Sequence, residues 1–137
     1  MNLEQICAKY GFEIEKNANK KLRDSKKTEN LLTRSLGVLQ EQGIYAFFLY
    51  LASRNESEAP SEVSKESQNL LKDEKVGLLT RDEEDICRKM REESGLLNNI
   101  NALLLAFNLL EKSLIYARYH AKSLGSSSAA ISELGGE

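Results

Sequence analysis

The sequence contains no tryptophan, one proline, one histidine and two cysteines in 137 residues. With one proline, little interrupts a helix, and the supply of Leu, Ala, Glu and Lys favours long helices. β-branched residues are sparse and do not alternate with polar residues over any length, so strands are not predicted. A chain of this length forms one compact domain. The sequence therefore predicts an all-α protein with a single domain.

Residues that carry catalysis are also scarce. One histidine, His120, leaves no histidine pair for a metal site or an acid–base relay, and we place it on a helix surface beside Tyr116. The sequence has no Gly-rich phosphate loop, GxSxG or HExxH. The acidic run at residues 82–85 would point in four directions around a helix, so a first helical turn is favoured over a metal site. We predict no enzyme activity, metal or cofactor.

The two cysteines and the apolar stretches bear on location. Cys7 and Cys87 form no CxxC pair, which is typical of reduced core thiols in a cytoplasmic protein. Residues 1–8 lack the positive flank and apolar run of a signal peptide. The most apolar stretch, residues 44–52, is about half the length that spans a bilayer and indicates a buried helix. We therefore expect a cytoplasmic protein with no membrane partner.

Apolar residues at three- and four-residue steps predict the first helices. One covers about residues 2–22. A second, long helix opens near Ser25 or Thr28 and continues to about residue 54. Gly37 and Gly43 lie inside it, where close packing or a kink must offset their cost. A polar break at residues 55–60 precedes a weak helix over residues 61–76.

The second half of the chain predicts two more helices and a tail. Thr80 and Glu83 fit a capping box for a helix over residues 81–94. The last helix covers residues 96–124, a length of about 40 Å, and its apolar stripe runs from Leu96 and Ile100 to Leu124. Lys122 and Gly125 would end it. We thus predict an elongated bundle of about five helices in residues 1–125, with a disordered tail at residues 126–137.

Charge is distributed unevenly along the chain. The formal net charge of −2 excludes a generally basic nucleic-acid binder, but a local basic face remains possible. Residues 16–34 contain seven cations and two carboxylates, whereas residues 56–93 are net acidic. On the last helix, basic residues project away from the core together with Tyr119, a combination that suits RNA. The candidate RNA contacts are Lys20, Lys21, Arg23, Lys26, Lys27, Lys112, Arg118 and Lys122. A solvated helix face would explain the same charges without a ligand.

Two segments resemble a known family. Residues 35–49, SLGVLQEQGIYAFFL, resemble the central helix of the small helical subunit of type III-B CRISPR effector complexes, the Cmr module. Residues 109–122, LLEKSLIYARYHAK, look like the family's final helix, an aromatic-led basic segment. The likeness covers about residues 1–125 and rests on helix order and these two segments. It departs around Leu36 and Val38, where the family often has a proline, and at Tyr116, where tryptophan is common.

The resemblance implies a non-catalytic RNA-binding subunit. In that family several copies line the body of a multi-protein complex and contact the guide–target RNA duplex, chiefly through backbone charge. Arg118 and Lys122 correspond to basic positions of the closing segment, whereas the cations of residues 20–27 match the family's basic region only in character. The implied partners are other Cmr subunits and guide and target RNA, with self-association left open.

Two other functions are compatible with the residues alone. The main alternative is a helical protein–protein adaptor or oligomerising scaffold with no nucleic-acid role, which would use Tyr45, Phe48 and Tyr50 as its interface. A more distant alternative is a small metal-dependent bundle enzyme.

Overall fold

A computed structural model describes residues 2–79, 85–92 and 96–135, with side chains as far as residue 125. This part of the chain consists of helices and their connections, without a strand. The elements are α1 (Leu3–Leu22), α2 (Ser25–Gln42), α3 (Ile44–Ser53), α4 (Ala59–Lys72), α5 (Ile86–Met90), a 3-10 turn at Leu96–Asn98, and α6 (Ile100–Gly135). The predicted all-α fold with a long last helix is confirmed.

Helices α1 and α6 pack side by side and run in the same direction. Near the start of α1, the Cys7 thiol donates to the Leu109 carbonyl oxygen at 3.7 Å. Further along, the ring of Phe12 meets the ring of His120 edge to face, with centroids 5.7 Å apart. Because both residue numbers rise together along the contact, the two helices are parallel. Their second halves therefore lie at the same end of the bundle.

Helix α2 packs on α6 in the opposite direction. Gln40, near the end of α2, donates from Nε2 to the Glu111 carboxylate at 3.1 Å. At the other end of the pair, a Cβ atom built on Gly125 would lie 3.1 Å from the Ser25 hydroxyl oxygen. The start of α2 thus lies beside the second half of α6, where α1 also ends.

Helix α4 covers another side of α1 and runs antiparallel to it. The Tyr10 hydroxyl donates to the Asp73 carboxylate at 2.7 Å, just past the end of α4. Lys21 forms an ion pair with Glu58 at the start of α4. Bonds at both ends of α4 therefore hold it against α1.

The predicted long second helix is divided at Gly43. The Gly43 backbone has φ 95° and ψ −178°, a combination that only glycine adopts readily. Its N–H still donates to the Leu39 carbonyl of α2, and its own carbonyl accepts from the Phe47 N–H of α3. One residue therefore ends α2 and begins α3, so the prediction of a single helix through residue 54 is wrong. Gly37 stays inside α2.

Helix α3 is buried on one side, so the prediction that residues 44–52 form a buried helix is confirmed for that side only. Ile44, Phe47, Phe48 and Leu51 are all at most 3% exposed. Phe47 and Phe48 pack edge to face with each other. Leu49 points outwards instead, so only one side of the helix is buried.

The short helices differ in their bounds from the prediction. α4 begins at Ala59, two residues earlier than predicted, because Pro60 lies in its first turn, where the missing N–H costs nothing. α5 covers only part of the predicted residues 81–94. The capping box of Thr80 and Glu83, and residues 82–84 of the acidic run, lie outside the described residues. Asp85 caps α5 by accepting from the Cys87 N–H at 3.0 Å.

The last helix is longer than predicted at its C-terminal end. Its backbone is helical to Gly135, so the stop predicted at Gly125 is wrong. No proline interrupts residues 126–135, and a glycine inside a helix costs only about 1 kcal/mol. The prediction of a disordered tail over residues 126–137 stays a prediction.

The buried stripe of α6 is shorter than predicted. Leu110, Leu114, Ala117 and Ala121 are fully buried, as the periodicity indicates. Ile100 is 70% exposed and Leu124 is 44% exposed, so neither belongs to the buried stripe.

Both cysteines are free thiols in the core, which confirms their prediction as core thiols. Burial raises the pKa of Cys7 and of Cys87 above the usual thiol value. Neither is therefore set up as a reactive thiolate.

Candidate nucleic-acid interface

All eight cations predicted to contact RNA are exposed, but the fold separates them. Lys20 and Arg23 lie where α1 ends, next to the second half of α6. Lys112 lies instead beside the first turn of α1, where its ammonium group is 3.7 Å from the Glu4 carboxylate. Because α1 and α6 pack in parallel, Lys112 lies beside the start of α1, whereas Lys20 and Arg23 lie at its end. The predicted RNA contacts are therefore at different ends of the bundle.

The cations at the end of α1 surround a hollow of about 640 Å³. Lys16, Lys20 and Arg23 line one side of it, and Leu124 of α6 lines another. Arg23 is held in the left-handed conformation, φ 52°, while its N–H donates to the Asn19 carbonyl at 2.7 Å. This cap ends α1 and turns the chain directly into α2, so cations of α1 collect at one corner.

Two of the predicted RNA contacts, Lys21 and Lys26, lie close to carboxylates of this protein. Lys21 pairs with Glu58 at 2.7 Å, and that bond raises the pKa of Lys21 and lowers the pKa of Glu58. Lys26 lies 3.8 Å from Glu29. The Lys21–Glu58 pair is exposed to solvent, where such a bridge contributes little. In the other pair the Lys26 side chain is 76% exposed and the Glu29 side chain 17% exposed.

Lys27 belongs to a different surface. It lines a separate hollow of about 260 Å³ together with Arg34 and Arg54. Arg54 also lies over the ring of Tyr50 and pairs with Glu56. The run of residues 20–27 is therefore one cluster in sequence but two surfaces in space.

Exposed aromatic rings accompany the cations at the end of α1. Phe12 is 46% exposed, with the Lys16 ammonium 5.8 Å from its ring centroid and His120 on its other side. Tyr119 is 68% exposed on α6. His120 is exposed, as predicted. The role of Phe12 was missed in the sequence, although its position off the apolar stripe of the first helix was the available signal.

We call this surface the cationic–aromatic band. It follows the second half of α6 and the adjoining end of α1. Lys122 adjoins it because it is one turn from Tyr119 on α6, whereas Arg118 lies two residues before His120 and therefore on the opposite side of the helix. The members of the band are Phe12, Lys16, Lys20, Arg23, Tyr119, His120 and Lys122. Half-exposed rings between mobile cations can stack on bases while the cations contact phosphates.

A buried carboxyl lies under the band. Glu15 is 3% exposed, and its Oε1 atom has no hydrogen-bond partner among the described residues. Burial raises the pKa of Glu15, and the nearby His120 opposes that rise. Glu15 therefore keeps its proton to a higher pH than a surface glutamate does.

The sequence analysis also considered a metal site and an adaptor interface. In the described part of the chain, no three His, Cys, Asp or Glu side chains are placed to hold a metal ion. The adaptor interface predicted at Tyr45, Phe48 and Tyr50 is wrong, because Phe48 is 1% exposed and the two tyrosines are half-buried. The Tyr45 hydroxyl also accepts a hydrogen bond from Arg91 at 3.0 Å.

One helix meets the length and composition of a membrane span. Residues Ile100–Gly125 of α6 do so, and a third of its most apolar window is buried inside the protein. The stretch compared with a membrane span in the sequence, residues 44–52, belongs to the shorter α3. A core helix of a soluble protein meets the same criterion, so this feature alone assigns no membrane role.

Comparison of the chain with protein-family models, curated proteins and solved structures gives no match. None of these comparisons identifies the chain as a Cmr subunit, so the resemblance stays a prediction from helix order and from residues 35–49 and 109–122. Residues 109–122 include Tyr119, His120 and Lys122 of the cationic–aromatic band.

Proposed function

We propose that this protein is a non-catalytic, RNA-contacting subunit of a multi-protein silencing complex of the type III-B CRISPR kind. In this role it binds RNA through the cationic–aromatic band, and partner subunits of the complex carry the catalytic residues. A protein with this role would be located in the cytoplasm.

The observation that carries the proposal is the grouping of cations and exposed rings on one surface. Phe12 and Lys16 of α1 meet His120 of α6, although more than a hundred residues separate the two segments. Lys20 and Arg23 continue the same surface. A solvated helix face accounts for the exposed lysines, and single exposed rings are common on protein surfaces. What supports an RNA site is that the Phe12 ring lies in contact with both Lys16 and His120.

The band favours contact with the RNA backbone over recognition of base sequence. Its cations are flexible and exposed, and they offer no rigid fork aimed into a groove. Contacts of this kind release counterions from the RNA, so affinity falls steeply as salt rises and depends little on sequence. The band also lies on one side of the bundle, which leaves other sides free for neighbouring subunits.

The test is a titration of the full chain with fluorescently labelled RNA, followed by anisotropy at about 50 mM and about 200 mM salt. We expect salt-sensitive binding. Replacing Lys20 and Arg23 together with Glu should weaken it about tenfold or more and reduce the salt slope by about 1.5–2 units. The matched control changes Lys65 and Lys75 to Glu, since both are exposed lysines outside the band.

The control distinguishes the loss of a local RNA site from the effect of net charge on RNA affinity. Both double variants change the charge of the protein equally, so an RNA surface elsewhere, or simple bulk attraction, would weaken both alike. That result would remove the band from the proposal. Absence of binding by the wild-type chain at both salt concentrations would overturn the proposed function itself.

A further inference from the structure

The first turns of α6 carry a second surface, made of large apolar side chains. Ile100 is 70% exposed and Leu104 is 56% exposed, one turn apart on the same side of the helix. Leu97, in the 3-10 turn before α6, and Leu105 are each more than a third exposed. We call these four residues the apolar end face. Full burial of one such side chain contributes about 1.5–3 kcal/mol, so leaving four in water is costly.

The fold explains why this surface is uncovered. Hydrogen bonds from α1 and α2 meet α6 at Leu109, which accepts from the Cys7 thiol, and at Glu111, which accepts from Gln40. Before that level, Ala106 is fully buried and Leu103 and Phe107 pack against the core, whereas Ile100 and Leu104 lie on the side of α6 that faces away from it. Leu3, one turn before Cys7 in α1, is 45% exposed and adds to the apolar surface at this end.

The apolar end face is also free of charge. Residues 96–110 contain no Asp, Glu, Lys or Arg, in a chain in which 29% of residues are charged. The exposed polar residues of this stretch are asparagines, at positions 98, 99, 101 and 108. An asparagine side chain both donates and accepts hydrogen bonds, so it can pair with another copy of itself.

We propose that the apolar end face binds a second copy of this chain, with the two α6 helices antiparallel about a two-fold axis. In such an interface each residue near the axis meets its own counterpart, so a charge there would meet a like charge. A surface with apolar residues and a rim of asparagines avoids that repulsion. A partner recognised by charge, including RNA, would instead require charged residues, and this stretch has none.

The size of the surface agrees with a weak dimer. The exposed parts of the four leucine and isoleucine side chains and Leu3 amount to roughly 500 Å² per copy, against about 800 Å² for a standard stable interface. The asparagine rim supplies part of the difference. We therefore expect a dissociation constant in the micromolar range, about 1–100 μM.

This inference does not depend on the proposed RNA function. Tyr119 is 15 residues beyond Leu104 on α6, which is about 22 Å along the helix axis. The cationic–aromatic band thus stays open in the dimer, and two copies would present two bands at opposite ends of the antiparallel pair.

The test is sedimentation equilibrium of the full chain over a concentration series. We expect a monomer–dimer equilibrium, and Leu104→Glu should raise the dissociation constant at least tenfold. The control is Leu49→Glu, because Leu49 is 44% exposed on α3 and lies outside the apolar end face. It should leave the equilibrium unchanged. Far-UV circular dichroism of both variants checks that the helices are retained.

A second variant tests the two-fold geometry. Asn101→Cys adds an exposed thiol beside the face, while Cys7 and Cys87 are buried. Oxidation should give a covalent dimer and no larger species. A wild-type chain that stays monomeric at about 100 μM overturns the proposal. Dimers that Leu104→Glu leaves intact also overturn it, as does a monomer that binds neutral phospholipid vesicles through Leu104, which would assign the face to a membrane.

Discussion

Gly11 of α1 is in such close contact with Tyr116 of α6 that a Cβ atom at position 11 would lie 2.9 Å from the Tyr116 Cβ atom. The same atom would lie 2.8 Å from the Ser113 carbonyl oxygen. Both distances are well below ordinary van der Waals contact, and neither neighbouring atom is the end of a flexible side chain. The parallel packing of α1 on α6 therefore depends on the absence of a side chain at this position.

Gly11→Ala should accordingly destabilise the protein. Separating the helices to admit a methyl group costs about 1–3 kcal/mol, more than the roughly 1 kcal/mol that alanine gains over glycine inside a helix. Urea denaturation measures the change in the free energy of unfolding. The matched control is Gly37→Ala in α2, where a Cβ would meet no atom within 4 Å and stability should rise by about 0.5–1 kcal/mol. Equal gains at both positions would contradict the close contact at Gly11.

Gly43→Ala tests whether backbone strain, rather than steric contact, destabilises the protein. A Cβ at Gly43 also meets no atom within 4 Å, but the backbone has φ 95°, where an L side chain is strained. We expect a loss of about 1–3 kcal/mol in the free energy of unfolding, although the space available is the same as at Gly37. Thermal unfolding of the two alanine variants gives the comparison. An increase in stability at Gly43 would show that α2 and α3 can join into one helix without cost.

The periodicity of apolar residues was sufficient to predict the class of the fold and the bounds of α1, because burial of one helix face repeats every three or four residues. The division at Gly43 could not be decided from the sequence. A glycine permits a break, a kink or a continued helix, and the packing of distant segments selects among them. The role of Gly11 was missed for the same reason, since its contacts belong to residues 113–117.

The sequence was sufficient to predict which cations belong to the candidate site, but not which of them the fold brings together. The cations of residues 16–27 are plain in the sequence, but their division between two surfaces follows from the turn at Arg23 and the ion pair of Lys21. Phe12 joins the site only because α1 and α6 are parallel. The sequence pattern does not specify the direction in which two distant helices pack.

The buried carboxyl of Glu15 predicts a pH dependence of stability. Because burial raises its pKa, the folded protein binds a proton at Glu15 more tightly than the unfolded chain does. Its contribution is therefore complete below the usual glutamate pKa, about 4.3, and is lost as the pH rises through the raised value. Glu15→Gln removes the ionisation, so this variant should be more stable than the wild type at pH 7.

The comparison is made by urea denaturation at pH 4 and pH 7. The advantage of Glu15→Gln should shrink at the lower pH, where Glu15 is largely protonated in both the folded and the unfolded state. Glu13→Gln is the control, since Glu13 lies on the same helix and is half-exposed. Its effect should show no comparable change between the two pH values. A Glu15→Gln variant less stable than the wild type at pH 7 would mean that the carboxylate is held by favourable contacts.

The exposed ring of Phe12 predicts which form of RNA the band prefers, given the proposed function. A ring that is 46% exposed between Lys16 and His120 offers a face for stacking, and a base must leave its own stack to use it. Stacking on an aromatic side chain contributes about 1–3 kcal/mol per base. Phe12→Leu should therefore weaken binding of unstructured RNA by about fivefold to a hundredfold and leave the salt slope unchanged. Phe12→Tyr keeps the aromatic face and should bind as the wild type does. Binding of a blunt RNA duplex, whose bases are already stacked, should be equal for all three proteins. If Phe12→Leu binds unstructured RNA as tightly as the wild type, the band holds RNA by charge alone.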